Sequence, residues 1–276
     1  DRMPSRGLGD VYKRQQMKLI PEKLMKQLFT FVVLFLFSFD SLALSDQYYA
    51  RTEFSTCKLA DGKTYEDVVA YHKQYEAFLK ENNLKYAKYI LTPVIAGDVD
   101  YDYITWGTWP GGVEMYEEYG AYLNDYTPPP GNPGICSGTF SVHFNAAIRI
   151  RPPVSEYDKR MFVEFRNCKF KGESTVDDLL KIDAEREAIM RDADAMGYGR
   201  SYLRPYRGFS DDEYDFAVMT HWYNRDYRAD SVKSYGKMTT LFREKGIFDG
   251  YREHVEGCER TPRVYASEWL YSTISD

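Results

Sequence analysis

Histidine, the side chain used most often for metal binding and for proton transfer near neutral pH, occurs at only four positions of this chain. None of the four lies in an H-x-H or H-E-x-x-H pattern, and C-x-x-C-H is absent. We therefore expect no metal site built from histidines. His221 is the most interesting of them, because it ends a predicted strand beside Trp222. No cofactor is predicted. A haem held by one axial histidine would leave no spacing pattern in the sequence, however, so the sequence does not exclude haem.

Charged residues recur on predicted strands at equivalent positions of an internal repeat. The pattern E-F-x-x-C-K begins at Glu53 and again at Glu164, 111 positions later. Lys88 in the first copy matches Arg200 in the second, and the growing offset between matched blocks places insertions in loops. Further matched pairs are Thr64 with Thr175, Glu76 with Glu187, Trp109 with Trp222, Tyr119 with Tyr235 and Cys136 with Cys258.

Both copies have the same predicted order of elements, β-α-β-β-α-β. Apolar residues at three- and four-residue spacing predict a first helix from Thr64 to Asn82, with Asp67 at the capping-box distance. The other predicted helices are 113–123, 176–196 and 230–245. Alternation and turn residues predict strands at 48–58, 86–91, 101–109, 139–150, 162–169, 198–203, 214–222 and 264–271.

This order is the ferredoxin-like motif, present twice. Each four-stranded sheet has helices on one face only, and two such sheets packed face to face would bury both open faces. The tandem thus resembles the dimeric α+β-barrel superfamily fused into one chain. The resemblance implies an α+β fold with one repeat at 46–153 and a second at 154–276. Relatives with this barrel include monooxygenases, haem-degrading enzymes, haem peroxidases and lyases, with ligands between sheet and helices or within the barrel.

The four cysteines can be paired in three ways, and the repeat favours one of them. Each copy has one early and one late cysteine, so the symmetric choice is Cys57 with Cys136 and Cys168 with Cys258. The topology favours the same pairs, because the end of the first strand lies beside the start of the fourth. Disulfide geometry requires such closeness, with Cα atoms within about 7 Å.

The first 45 residues predict export. Residues 1–16 are basic and lack apolar periodicity, so we interpret them as a non-native leader and exclude them from the fold. Residues 17–45 resemble a signal peptide, with a lysine-rich start and an apolar run at 28–39; an N-terminal membrane anchor is the alternative. Periplasmic or secreted localisation follows from cleavage.

Beyond residue 45 the chain has 29 basic and 38 acidic residues, which argues against nucleic-acid or anionic-membrane partners.

The charged strand residues are the candidate site. Because side chains alternate between sheet faces, we expect the face with Phe54 and Phe165 to contact the helices and the charged face to line the barrel. Buried charges are costly unless paired, so they would pair there or bind a polar ligand. His221 replaces Thr108 of the first copy and marks an asymmetry. The predicted ligand-binding residues are Glu53, Lys88, Trp109, Glu164, Arg200, His221 and Trp222.

Three functions are compatible with these residues. The first is an exported small-molecule-binding protein with its ligand in the barrel or the barrel mouth. The second is an enzyme of the superfamily (a monooxygenase, a lyase or a haem-dependent enzyme) that uses Glu164, Arg200 and His221. The third is a non-catalytic structural or interaction module of the cell envelope. No motif identifies a catalytic residue or the oligomeric state.

Overall fold

The computed structural model describes residues 49–208 and 213–274. The predicted leader at 1–16 and signal peptide at 17–45 lie outside these residues, so both stay predictions. The repeat boundaries at 46–153 and 154–276 likewise stay predictions. Within the described part the strands are β1 (Tyr49–Leu59), β2 (Ala87–Ile95), β3 (Tyr103–Trp109), β4 (Gly134–Ile150), β5 (Arg160–Phe170), β6 (Tyr198–Arg207), β7 (Phe216–Trp222), β8 (Val255–Cys258) and β9 (Arg263–Ser272).

Eight of these strands form a closed antiparallel barrel. Strand order in the first half is β4-β1-β3-β2, and in the second half it is β9-β5-β7-β6. Both are the order of a ferredoxin-like sheet. The halves join at their edges, where β2 pairs with β9 and β4 pairs with β6. The short strand β8 adds to β5 outside this ring. The predicted fold, a tandem dimeric α+β barrel, is confirmed.

Helices cover the outer faces of both sheets. The capping box predicted from Thr64 with Asp67 is formed, and its counterpart in the second half, Thr175 with Asp178, is formed as well. The predicted helix to Asn82 is divided at Gln74, and the stretch predicted at 230–245 is two helices followed by a third. The helices are α1 (Tyr65–Lys73), α2 (Tyr75–Glu81), α3 (Gly112–Asn124), α4 (Val176–Asp192), α5 (Arg225–Lys233), α6 (Tyr235–Glu244) and α7 (Ile247–His254), with a 3-10 turn at Val154–Glu156.

The barrel interior is packed by one large layer of apolar side chains. Phe54 and Phe165 meet there edge to face, with ring centroids 5.9 Å apart. The expectation that these two residues contact the helices is therefore wrong: they face the interior, and the charged residues beside them face the helices. Eight strands leave an interior just wide enough for side chains to fill it. Each barrel strand gives one buried residue to this layer: Phe54, Leu91, Trp106, Val142, Val163, Leu203, Met219 and Tyr265.

Both predicted disulfides are confirmed. Cys57 bonds to Cys136 across β1 and β4, and Cys168 bonds to Cys258 across β5 and β8. In each pair the cysteines are direct cross-strand partners, with Cα atoms 4.0 Å apart. The two bridges therefore close equivalent strand ends in the two halves, at the same end of the barrel.

Candidate functional site

The predicted site residues of the first half lie under its helices in a filled space. Trp109 is only 1% exposed, and its ring packs against Tyr86 and Tyr119 at centroid distances of 5.0 and 5.3 Å. Glu53 accepts hydrogen bonds from the Tyr86 hydroxyl at 3.2 Å and from the Tyr119 hydroxyl at 2.8 Å. The ammonium of Lys88 lies 4.0 Å from the Glu53 carboxylate. Glu53, Lys88 and Trp109 are thus paired or packed with one another and with tyrosines.

The equivalent space of the second half is open. A cavity of about 700 Å³ lies between its sheet and helices α4 to α7, and we call it the helix cavity. Three predicted residues, Glu164, Arg200 and Trp222, line it. Tyr235, which matches the inward-packed Tyr119 of the first half, is 69% exposed. The aromatic ring that closes the first half therefore stands at the rim in the second.

The deepest charged group beside the helix cavity is the carboxylate of Asp183 on α4, which is fully buried. The hydroxyls of Tyr202 and Tyr251 donate hydrogen bonds to its two oxygens. Arg200 Nε lies 3.3 Å from Asp183 Oδ2, and Arg186 Nη1 lies 3.9 Å from Oδ1. Two guanidinium groups thus share one carboxylate, which leaves one positive charge in excess.

Of the two arginines, Arg186 is neutralised less by the Asp183 carboxylate, because it lies farther away. Its Nη2 donates a hydrogen bond to the Tyr198 hydroxyl at 3.2 Å. Its Nε is buried and has no hydrogen-bond partner among the described residues. A buried donor without an acceptor is costly, since it has lost its water and gained nothing in return. The side chain lines the helix cavity, where a ligand could supply the missing acceptor.

A second ion pair forms part of the cavity wall. Arg228 Nη2 lies 3.1 Å from Glu164 Oε1, so these charges balance each other. The guanidinium also stacks over the ring of Trp222, with its central carbon 4.1 Å from the ring centroid. Both contacts hold the plane of Arg228 and Trp222 in one orientation, which gives the cavity a flat, aromatic wall.

The residues that sequence reasoning missed are Asp183, Arg186 and Arg228. The first two have a signal in the repeat itself: at the 111-residue offset, Asp183 stands where the first copy has His72, and Arg186 stands where it has Tyr75. Such exchanges of charge at matched helix positions mark where the halves have diverged. Arg228 follows an insertion, so the repeat does not give it one unambiguous counterpart.

His221 does not belong to the helix cavity. It pairs in register with Val163, an interior residue, and therefore points into the barrel, while Trp222 points to the helices. A Cβ on neighbouring Gly199 would lie 2.1 Å from the imidazole, so only glycine leaves room for this ring. Burial, with Arg151 and Arg149 nearby, lowers the pKa of His221 to about 4. Glu164, Arg200 and His221 thus do not assemble as one catalytic set.

The helix cavity tests the idea of haem directly. Its arginines and apolar walls suit the carboxylates and ring of a porphyrin. No histidine occurs among the lining residues that the structure describes, and His221 lies on the opposite face of the sheet. The residues present therefore do not fit a histidine-ligated haem. In the described residues no group of three or more metal-binding side chains is formed either.

The filled space of the first half predicts a pH effect on stability. Burial raises the pKa of Glu118 on α3 from its ordinary 4.5 to about 7. Between these values the folded protein keeps a proton that the unfolded chain releases, so this group's stabilisation falls as pH rises, by about 3 kcal/mol in all. The Glu118→Gln variant does not titrate there. We expect the wild-type unfolding free energy minus that of the variant to fall by this amount from pH 4 to pH 8.

The difference between the two proteins is the quantity to measure, by urea unfolding at several pH values. Burial lowers the pKa of His72 to about 3, which makes its own contribution rise with pH. Subtraction removes that opposite trend, because both proteins contain His72. A difference that is flat, or that rises with pH, would show that Glu118 is not held neutral in the folded protein.

Comparison with known proteins finds only distant structural similarity. No protein-family model and no curated protein matches the chain. Chlorite dismutase from Candidatus Nitrospira defluvii in complex with imidazole is similar at 10% identity and a TM-score of 0.44, covering 83% of this chain and 94% of that one. A heme-binding protein from Thermus thermophilus is similar at 12% identity and a TM-score of 0.42, covering 80% and 90%. Similarity this distant carries no information about this chain's ligand.

The class of the protein rests on its own topology: two ferredoxin-like sheets of identical strand order, closed into one barrel, form a tandem α+β barrel that resembles the dimeric α+β-barrel superfamily.

Proposed function

We propose that the protein is an exported small-molecule-binding protein whose helix cavity holds a planar aromatic molecule carrying a carboxylate. A cavity of about 700 Å³ lies within the range of about 300 to 1,000 Å³ typical of ligand sites. The sequence predicts a ligand in the barrel or its mouth; the larger cavity lies outside the barrel, between the second sheet and its helices.

The apolar walls favour an aromatic ligand. Trp222, Phe242 and Ile247 are buried residues that line the helix cavity, and Met190 of α4 lines it as well. Trp222 is already fixed by the Arg228 guanidinium on one side. The rigid indole of Trp222 and the thioether of Met190 offer good contacts to a flat ring system. An extended aromatic body would also cover the apolar area that the outward position of Tyr235 leaves open.

One observation carries the proposal that the ligand has a carboxylate: two guanidinium groups surround the single carboxylate of Asp183, so one positive charge is in excess. Arg186 and Arg200 share that one carboxylate, and Arg186 Nε is a buried donor without a partner among the described residues. A ligand carboxylate would accept this hydrogen bond and balance the excess charge. Charge-assisted bonds of this kind are among the strongest in proteins. In the first half Tyr75 replaces Arg186, so no such demand for an anion arises there.

Export is supported by the cysteines. All four are paired, as expected of a chain that folds in an oxidising compartment. Within 49–208 and 213–274 no helix is long and apolar enough to cross a membrane. The enzyme alternative lacks a comparable observation, since its three proposed residues lie on two faces of the sheet.

Fluorescence titration with 1-pyrenebutyrate and its neutral counterpart 1-pyrenebutanol tests the proposal. We expect the carboxylate to bind at least about tenfold more tightly than the alcohol, because only the carboxylate pairs with Arg186. The Arg186→Met variant keeps the chain length and removes the charge, so it should abolish this preference while leaving pyrenebutanol binding unchanged. Lys181→Met, an exposed position on the same helix, is the matched control. Equal affinity for both probes in the wild type would refute the proposal.

A further inference from the structure

A second cavity, of about 250 Å³, lies inside the barrel at the end that carries both disulfides. We call it the mouth cavity. Its floor is the apolar layer of the interior, reached at Phe54, Leu91 and Leu203. Thr56 and Asn167 line it beside Cys57 and Cys168, so each bridge fixes a strand end at the rim. A site fixed in this way loses little entropy when a ligand binds.

The mouth cavity is built unequally by the two halves. Phe54 pairs in register with Phe140, and its counterpart Phe165 pairs with Arg263, so an arginine replaces a phenylalanine. By the same comparison Ala217 in the second half stands where the first half has Ile104. The second half therefore supplies both the empty space and the charged group, and a barrel packed only for stability requires neither.

Arg263 offers a donor rather than a free charge. Its Nη2 lies 3.2 Å from Glu259 Oε2, so the guanidinium is already balanced. Its Nε is buried and has no acceptor among the residues that the structure describes. On the same wall the hydroxyls of Tyr101 and Tyr265 are hydrogen-bonded to each other at 2.7 Å. A carboxylate would lose its hydration there without meeting an unbalanced cation, whereas a neutral acceptor would satisfy Nε without this cost.

The size of the mouth cavity sets the size of its ligand. An engineered protein cavity of about 150 Å³, lined by aliphatic and aromatic residues, binds benzene and stays free of water. The mouth cavity is larger by roughly the room of one substituent, and its walls are likewise mostly apolar. We propose that it binds a small, uncharged aromatic molecule with one hydrogen-bond acceptor, such as an aryl ketone, independently of the helix cavity.

Isothermal titration calorimetry with three probes of similar size tests this proposal. Acetophenone has the ring and a neutral acceptor, ethylbenzene has the ring alone, and benzoate has the ring and a negative charge. We expect acetophenone to bind about tenfold more tightly than ethylbenzene, since one hydrogen bond to a charged donor is gained. Benzoate should bind most weakly, because its charge would be buried beside an arginine that Glu259 already balances.

Two variants locate the site. Arg263→Met should reduce acetophenone affinity to that of ethylbenzene and leave ethylbenzene unchanged. Ala217→Ile inserts the residue that the first half carries at this position, and it should lower the affinity of both ligands at least tenfold because the larger side chain occupies the cavity. Arg186→Met, in the helix cavity, should change neither, which separates this site from the other one.

The near-ultraviolet circular dichroism of each variant shows whether it is folded. Absence of acetophenone binding to the wild type at millimolar concentration would overturn the proposal. So would tighter binding of benzoate than of acetophenone, or unchanged affinity in a folded Ala217→Ile protein. If Ala217→Ile fails to fold, the loss of the ketone preference in Arg263→Met decides the question alone.

Discussion

Replacing Asp183 by asparagine is expected to lower the free energy of unfolding by about 3 to 5 kcal/mol. Asparagine has nearly the same volume, so packing is retained and only the charge is lost. The buried guanidinium groups of Arg186 and Arg200 then have no carboxylate to balance them. The hydroxyls of Tyr202 and Tyr251 also lose one of their two acceptors, since an amide has a single oxygen.

Urea unfolding monitored by circular dichroism measures this loss. Glu185→Gln is the matched control, because it removes one carboxylate from an exposed position on the same helix. Surface substitutions of this kind change stability by about 0.5 kcal/mol or less. A loss below about 1 kcal/mol for Asp183→Asn would mean that the buried arginines are balanced by other groups, and the excess charge assigned to the helix cavity would be wrong.

Removing either disulfide should cost about 4 kcal/mol. The bridges join residues 79 and 90 positions apart, and the entropy of loop closure grows only with the logarithm of this distance. The double variants Cys57→Ser with Cys136→Ser and Cys168→Ser with Cys258→Ser should therefore be destabilised almost equally. The midpoint of urea unfolding reports the difference for each.

Wild-type protein treated with a reductant provides the control, and its stability should approach that of a variant lacking both bridges. A loss below about 1 kcal/mol for one pair would show that its bond does not restrain the unfolded chain. If one double variant lost much more unfolding free energy than the other, the packing of its strand ends would depend on that bridge. The equal cross-strand geometry of the two pairs argues against such a difference.

The sequence predicts the fold well because its signals are local and occur twice. The capping pairs, the apolar helix faces and the alternating strands recur in both copies, and the topology then requires the cysteine pairs. The division of the first helix at Gln74 has no such signal, since neither glycine nor proline occurs there. The start of helix α7 does have a signal in the sequence, which is Gly246. Glycine favours the left-handed conformation that this residue adopts between the two helices, at φ 75°.

The site is predicted less well, and the reason is physical. Alternation shows that Glu53 and Phe54 face opposite sides of β1, but it does not say which side meets the helices. That choice depends on partners distant in the chain, such as Tyr119 for Glu53 and Arg228 for Glu164. Glu164, Arg200 and Trp222 line the helix cavity together, whereas His221 lies across the sheet.

We propose that the second half keeps open, for an aromatic anion, the space that the first half fills. A crystal structure of the protein with 1-pyrenebutyrate tests it most directly. The pyrene should lie in the helix cavity against Trp222, with its carboxylate within hydrogen-bond distance of Arg186 Nε. Pyrene density confined to the barrel mouth or to the outer surface, with the helix cavity closed by an inward-turned Tyr235, would show that the helix cavity is not the ligand site.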